Sequence, residues 1–450
     1  MTAVAYRQRD AIPPHECLSK ATSGRTARRC ESRHADCLSH VASASFSPNR
    51  CRMMTVHEAV DATRPSQLRH VWNSLWSRTP RATFRQTPEF LEASLLLLNS
   101  DRNPLSQLDP QLIAEWQGPS DAGLRSPKSL AERWRFLIVS VWQRPIGIMP
   151  LRERLVRRAL GTFRVLSVPQ SPWGSLPGPV GPHPATTLAA AVRHLVNDDD
   201  SWDILELPEV VADGVEPNRV PQAFESSGRA VFQRPSRELL GLELPATFGQ
   251  FWANRDSAAR QFWRELEAQR SRRSDEKFIR FRPAGASSGD TLRNWKLLNQ
   301  LERIVRLQAK TPHGSLSQKM FECLYETHPA AVDVGTADIS VLVQDSRLAA
   351  FAYGFQCRTR VETALLLADP QVPHARERLI GLMLRDEIAR GDSWHVFLSN
   401  SVPGTAVDRR LWGPIELHET TVAHDRHASI RSRLMHWLDG DRPVTSMSCC

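Results

Sequence analysis

Two distant stretches of this chain carry the same succession: three β-rich runs, a loop, one helix and one more strand. In the first, residues 135–142, 146–151 and 162–168 are dense in Val, Ile, Leu and Phe. A Gly/Pro-rich loop from Pro169 to Pro184 follows, then a helix from Thr186 to Val196 and a strand from Trp202 to Leu207. In the second, residues 337–344, 348–356 and 361–368 meander around a turn at Asp345-Ser346. A loop then leads to a helix from Glu377 to Arg390, ended by Gly391, and to a strand from Trp394 to Leu398. β-branched and aromatic runs bounded by turn residues read as strands, and Gly just past a helix suits its C-cap. Meandering strands before a single helix specify an α+β architecture and exclude a doubly wound nucleotide fold.

The rest of the chain fits around these two cassettes. An amphipathic helix is expected over Ser66–Trp76, and Thr87 caps a helix with Pro88 in its first position. Thr247–Gln269 is periodic enough for one long helix, Lys277–Arg282 alternates like a half-buried strand, and Thr291–Gln308 and Leu316–Thr327 read as helices. Leu242–Leu244 is short and apolar, and Ile415–Val422 is a closing strand. The division this suggests is a tail at 1–52, a first domain at 55–235, a second at 236–440, and a tail at 441–450.

Residues 1–52 hold nine Lys or Arg against four acids, so they contribute +5 of the formal +9. The remainder is too weakly basic for a phosphate-binding stripe, which argues against nucleic-acid binding. This segment lacks helical or strand periodicity and the apolar stretch of a signal peptide, and reads as a disordered tail or as sequence upstream of a start at Met53 or Met54. Cysteines crowd it (Cys17, Cys30, Cys37, Cys51), whereas the body holds only Cys323 and Cys357 before the terminal pair. That distribution fits a reducing, cytoplasmic setting better than a secreted disulfide scaffold. Cys30, His34, Cys37 and His40 lack usual zinc spacing, so no metal is expected. No apolar run approaches the roughly 18 residues a membrane helix requires.

Four passages, in order along the chain, resemble those of the CelD-like and FemAB-like acyltransferases of the GNAT superfamily. They are Thr83–Leu91 (TFRQTPEFL), Arg144–Leu151 (RPIGIMPL), Phe251–Arg260 (FWANRDSAAR) and Ser346–Gly354 (SRLAAFAYG). Two departures accompany them: a Ser-Pro-Gly turn usual before the second-domain helix is absent from Leu367–Leu379, and a usual Lys before Trp412 stands as Arg409 or Arg410. The resemblance implies two tandem GNAT-like domains, each a mixed, mostly antiparallel sheet flanked by helices. It also implies an acyl-CoA co-substrate, acetyl-CoA foremost, and an amine or hydroxyl acceptor on a small molecule, saccharide or peptidyl group, as in cell-envelope or polysaccharide metabolism.

In such proteins the pyrophosphate sits at a helix N-terminus between splayed strands, where free N–H groups and the helix dipole attract anions. Here the loop before Glu377 has that place, with His374, Arg376 and Arg378 as candidate phosphate contacts; a solvated Arg-rich loop is the alternative. Glu362 and His418 are candidate bases, Tyr353 a candidate acid for the leaving thiolate, and Arg410 and Trp412 candidate substrate contacts. The Gly174–Thr186 loop reads either as a cleft lining or as a rigid structural loop. Gly285-Ala-Ser-Ser-Gly289 has the nucleophile-elbow pattern around Ser287, the basis of a remote serine-hydrolase reading, but lacks the buried strand such elbows follow. His194 and Asp198 mimic a His-x-x-x-Asp motif on an ordinary helix. A catalytically degenerate GNAT-like binding protein is the main alternative.

Overall fold

A computed structural model describes residues 54–59, 65–99, 133–158, 160–171, 173–210, 219–271, 275–282, 324, 327–398, 410–426 and 442–443. The first cassette comprises β1 (Met54–Glu58), α1 (Arg69–Trp76), α2 (Pro88–Asn99), β2 (Arg133–Val141), β3 (Arg144–Arg158) and β4 (Gly161–Ser167). It continues through the two-residue strands β5 (Gln170–Ser171) and β6 (Gly174–Ser175), α3 (Pro184–Asn197), β7 (Ile204–Val210), α4 (Arg219–Glu225) and β8 (Phe232–Glu243). The second comprises α5 (Phe248–Ala253), α6 (Ser257–Ser271), β9 (Lys277–Phe281), β10 (Ala337–Gln344), β11 (Arg347–Cys357) and β12 (Arg360–Ala368). It ends with α7 (Ala375–Arg390), β13 (Trp394–Phe397), β14 (Ile415–Asp425) and β15 (Arg442–Pro443).

Local chemistry explains most boundaries. The β2–β3 and β10–β11 hairpins close through two-residue turns, Trp142-Gln143 and Asp345-Ser346, all four with φ between 50° and 62°. Such mirror-type turns match the right-handed twist of the flanking strands. The Thr87 hydroxyl accepts from the Phe90 N–H at 3.1 Å, as expected of an N-cap with Pro88 following. Helix α3 starts two residues earlier than expected, at Pro184 after His183, because proline is well suited to the first turn. The long helix expected over 247–269 is two: α5 ends at Ala253, and the Asp256 carboxylate caps α6 by accepting from the Ala259 N–H at 2.7 Å. The helices expected at 291–308 and 316–327 lie almost wholly outside the described residues, as does the whole segment 1–52.

The strands form one 13-stranded sheet in the order β1-β2-β3-β4-β7-β14-β8-β13-β12-β11-β10-β9, with β15 beside β8. Each cassette is antiparallel up to its fourth strand and then crosses over through a helix to a parallel neighbour. Thus α3 leads from β4 to β7, and α7 from β12 to β13. The repeat in the sequence is therefore a repeat of topology: an α+β fold of two like halves. At the centre the closing strands are exchanged. β8 follows β7 in the chain but lies between β14 and β13, while β14 follows β13 but lies between β7 and β8. The boundary expected at 235/236 falls inside β8, of which the sequence reveals only the last apolar residues.

Two cores result. One lies on α7's side of the sheet, where Ala350, Ala352, Leu366 and Phe397 pack with Leu379, Met383 and the indoles of Trp252, Trp263 and Trp412. The other continues from the first half across the opposite face, joining Phe84, Phe90 and Trp173 to Tyr353, Phe355 and Leu365.

Candidate functional site

The parallel pairing of β12 with β13 is short. It runs from Arg360 opposite Trp394 to Thr363 opposite Phe397, and one further bond follows from the Leu398 N–H to the Thr363 carbonyl at 2.9 Å. Among the described residues β12 continues to Ala368 with no β13 residue beside it; this unpaired stretch is the wedge. At the same point β12 carries an extra residue: Thr363 faces Gly354, Leu365 faces Tyr353, and Ala364 is left without a β11 partner. Bulges concentrate next to functional sites because they redirect backbone groups. The strands can approach here only because residue 354 is glycine; a Cβ there would lie 2.1 Å from the Glu362 carbonyl oxygen.

Beyond the wedge the chain turns over Asp369, whose carboxylate accepts from the Gln371 N–H at 2.9 Å. His374 then enters α7 with φ 57°, and no side chain caps the helix. A helix of this length presents the positive end of its dipole at an N-terminus that no side chain caps, although the Ala375 N–H is bonded to the Val372 carbonyl at 3.3 Å. The corresponding loop of the first half is locked. Val180 and Ile148 exchange backbone bonds at 2.8 Å, the Gly181 N–H donates to the Thr79 hydroxyl, and Trp173 is fully buried. The rigid-loop reading of Gly174–Thr186 therefore fits better than a cleft lining.

The base and acid expected from the sequence are not at the wedge. Glu362 lies on the face opposite α7, only 2% exposed, with Arg85 donating twice to it at 3.0 and 3.1 Å and Arg360 at 3.2 Å. Burial alone would raise its carboxyl, but Arg85 and then Arg360 hold it below the ordinary range, so it is a fixed anion and a poor base. The Tyr353 hydroxyl is fully buried 3.0 Å from His328 Nδ1, and burial pushes the phenol far above its usual value. His418 sits on β14 opposite Glu238, with β8 and β13 between it and β12; its side chain lies outside the described residues.

Of the three phosphate candidates, His374 is exposed, edge-on to Phe262 with ring centroids 5.3 Å apart, and Arg376 is half-buried in the first turn. Arg378 is different. Its guanidinium is 2% exposed, ion-paired with the buried Glu276, and donates to Gln344 at 3.1 Å and to the Pro373 carbonyl at 3.3 Å. It is an internal clamp between α7 and the β9–β10 edge, not an exposed loop cation. Replacing it with Ala leaves the buried Glu276 with Arg270, 3.6 Å away and partly exposed, as its remaining cation among the described residues. A loss of about 3 kcal/mol in chemical denaturation is therefore expected. A loss below about 1 kcal/mol would return Arg378 to the surface.

Trp412, expected to touch substrate, is fully buried and packs against Trp252 and Trp263 at 5.9 and 6.2 Å. Arg410 precedes it and is exposed. Ser287 lies outside the described residues. His194 bonds Asp198 at 3.1 Å across one turn at the end of α3, as an ordinary helical pair would. Among the described residues no group of three or more His, Cys, Asp and Glu could hold a metal, and no helix is long and apolar enough to cross a membrane.

Sequence reasoning misses Thr363, His395 and Glu387, which meet beneath the wedge. His395 Nδ1 is 2.8 Å from Glu387, and its Nε2 is 3.2 Å from the Thr363 hydroxyl. It also misses His328, whose imidazole burial holds down to about 4. The unfolded chain binds this proton first as pH falls, so stability is full above about pH 6.5 and declines toward pH 4, by roughly 3 kcal/mol in all. His328→Gln is expected to flatten that slope in denaturation measured across the window; an unchanged slope would place the acid sensitivity elsewhere.

No family model matches the chain, and no curated protein matches it. Among solved structures it is similar to FemX, at 8% identity and TM-score 0.45 over 78% of this chain and 98% of that one. It is also similar to the C-terminal domain of a putative lysylphosphatidylglycerol synthetase from Agrobacterium fabrum, at 10% identity and TM-score 0.41 over 79% and 97%. A tandem GNAT protein from the clavulanic acid biosynthesis pathway matches at 11% identity and TM-score 0.32 over 76% and 95%. Likeness at this level adds nothing to what the topology carries: two cassettes of one α+β fold, each with a helical crossover between parallel strands.

Proposed function

We propose that the chain is an acyltransferase that draws an acyl group from acyl-CoA, acetyl-CoA being the simplest candidate, and passes it directly to an amine or hydroxyl of a small-molecule, saccharide or peptidyl acceptor. One observation carries this reading: the β12–β13 wedge, the bulge at Ala364 and the uncapped start of α7 coincide in the second half. In this reading the pyrophosphate meets the helix N-terminus with His374 and Arg376 beside it. The thioester lies in the wedge with its carbonyl oxygen against the freed backbone of the bulge, where N–H groups would stabilise the oxyanion. The setting proposed is the cytoplasm. The sealing of Glu362 and Tyr353 away from the wedge favours a second reading, a GNAT-like binding protein without turnover.

Titration calorimetry with acetyl-CoA separates these from no function at the wedge. Binding is expected, and Arg376→Ala should weaken it roughly 5- to 30-fold, a partly exposed charge-assisted contact contributing about 1–2 kcal/mol. Release of the free thiol in the presence of acceptors distinguishes enzyme from binder. No binding at millimolar ligand rejects both.

A further inference from the structure

With Glu362 removed as the base and Tyr353 as the acid, the groups beneath the wedge gain importance. Thr363 is the last β12 residue matched to β13, so its side chain stands where the strands part. It is 1% exposed, and His395 and Glu387 are fully buried behind it. A neutral His395 satisfies both contacts in one tautomer: Nδ1–H donates to Glu387 at 2.8 Å, and Nε2 accepts from the Thr363 hydroxyl at 3.2 Å. This is the order hydroxyl, base, orienting carboxylate.

The surroundings fix that order. The other Glu387 oxygen accepts from Arg280 of β9 at 2.7 Å, and Arg280 also pairs with Asp338 of β10 at 2.6 Å and Asp386 of α7 at 3.3 Å. Arg282 joins Asp338 to Asp392. Toward the sheet His395 faces Val361 and Leu242 across the strands and the Phe397 ring, centroids 4.3 Å apart.

We propose that Thr363 is a catalytic residue of the acyl transfer and that His395 and Glu387 position it. As the acceptor's N or O attacks the thioester carbon, its proton passes to Thr363 Oγ while the hydroxyl's own proton passes to His395 Nε2. The new bond to the acyl carbon forms, the C–S bond breaks, and the imidazolium returns its proton through Thr363 to the departing thiolate. No reactant beyond acyl-CoA and acceptor is required. This rests on the acyltransferase reading given above.

The test uses the full chain with acetyl-CoA, water and hydroxylamine serving as acceptors, and follows thiol release. Thr363→Val is nearly isosteric and should lower kcat with water about 100-fold while leaving acetyl-CoA affinity within twofold; Thr363→Ser should recover most of the rate. Hydroxylamine, a strong nucleophile, should lose less in Thr363→Val than water does. His395→Gln should lower kcat with water to a similar extent while leaving acetyl-CoA affinity within twofold. If Thr363→Val and His395→Gln keep the wild-type rate within threefold and only melt earlier, the three residues merely join α7 to the sheet and the proposal fails. Wild-type protein that binds acetyl-CoA yet turns over neither acceptor also overturns it. Protein that binds no acetyl-CoA overturns the acyltransferase reading itself, and this proposal with it.

Discussion

Expressed separately, residues 53–235 and 236–450 are each expected to fail to fold. The cut severs β8 within its pairing with β14, which runs from Phe232 to Gly241, and leaves the residues paired with β13, Leu240–Glu243, on the second fragment. The first fragment also loses β14, leaving β7 with a bare edge along Ile204–Val210; the second loses β7 and the Phe232–Pro235 end of β8, stripping Thr420–Ala423 of β14 of its sheet partners on both sides. An exposed central edge invites aggregation, and the shared core from Phe84 to Phe355 is split as well. Circular dichroism and size-exclusion chromatography of each fragment, and of the two co-expressed, check this. Recovery only on co-expression is the expected result, and a monomeric, cooperatively melting 236–450 would refute strand exchange.

Among single substitutions, Arg280→Met should destabilise the protein most. The guanidinium is 2% exposed and contacts Asp338 and Glu387, themselves 3% and 0% exposed, besides donating to the Met383 carbonyl at 2.9 Å. Removing it strips two buried carboxylates of their shared cation, a loss of roughly 5 kcal/mol or more, which approaches the whole stability of many domains. The same network sets an acid limit. Because Glu387 is depressed to about 2 from about 4.5, its contribution is present above about pH 4.5 and is lost as pH falls toward 2. Denaturant titration should show Arg280→Met losing most of its stability at neutral pH and Glu387→Gln recovering part of it in the double variant. Additive losses would mean that the two residues do not share one network.

What is legible in the sequence follows from the range of each signal. The meander at 337–368, the helix after it and the strand at 394 are written in contiguous apolar runs and turn residues, and all three stand in the fold. Most of β8 is invisible at that level because Gln233, Arg234, Pro235, Ser236, Arg237 and Glu238 do not look like an inner strand. Its place between β13 and β14 is set by partners far along the chain. Arg378 misleads for the same reason: a cation near a helix start suggests an anion nearby, but its actual anion, Glu276, lies 102 residues upstream. Glu362 resembles a base only while Arg85, 277 residues away, is out of view. Thr363, His395 and Glu387 form no motif at all, since they converge only when β12, β13 and α7 pack.

Hydrogen–deuterium exchange with and without acetyl-CoA tests the acyl-CoA site most directly, because it reports binding and its location together. Slowed exchange is expected in segments covering Ala364–Arg376, the bulge, the loop and the first turn of α7, with Gly174–Thr186 unchanged. Protection at Gly174–Thr186 instead, or no protection anywhere at saturating ligand, would contradict the assignment of the acyl-CoA site to the wedge.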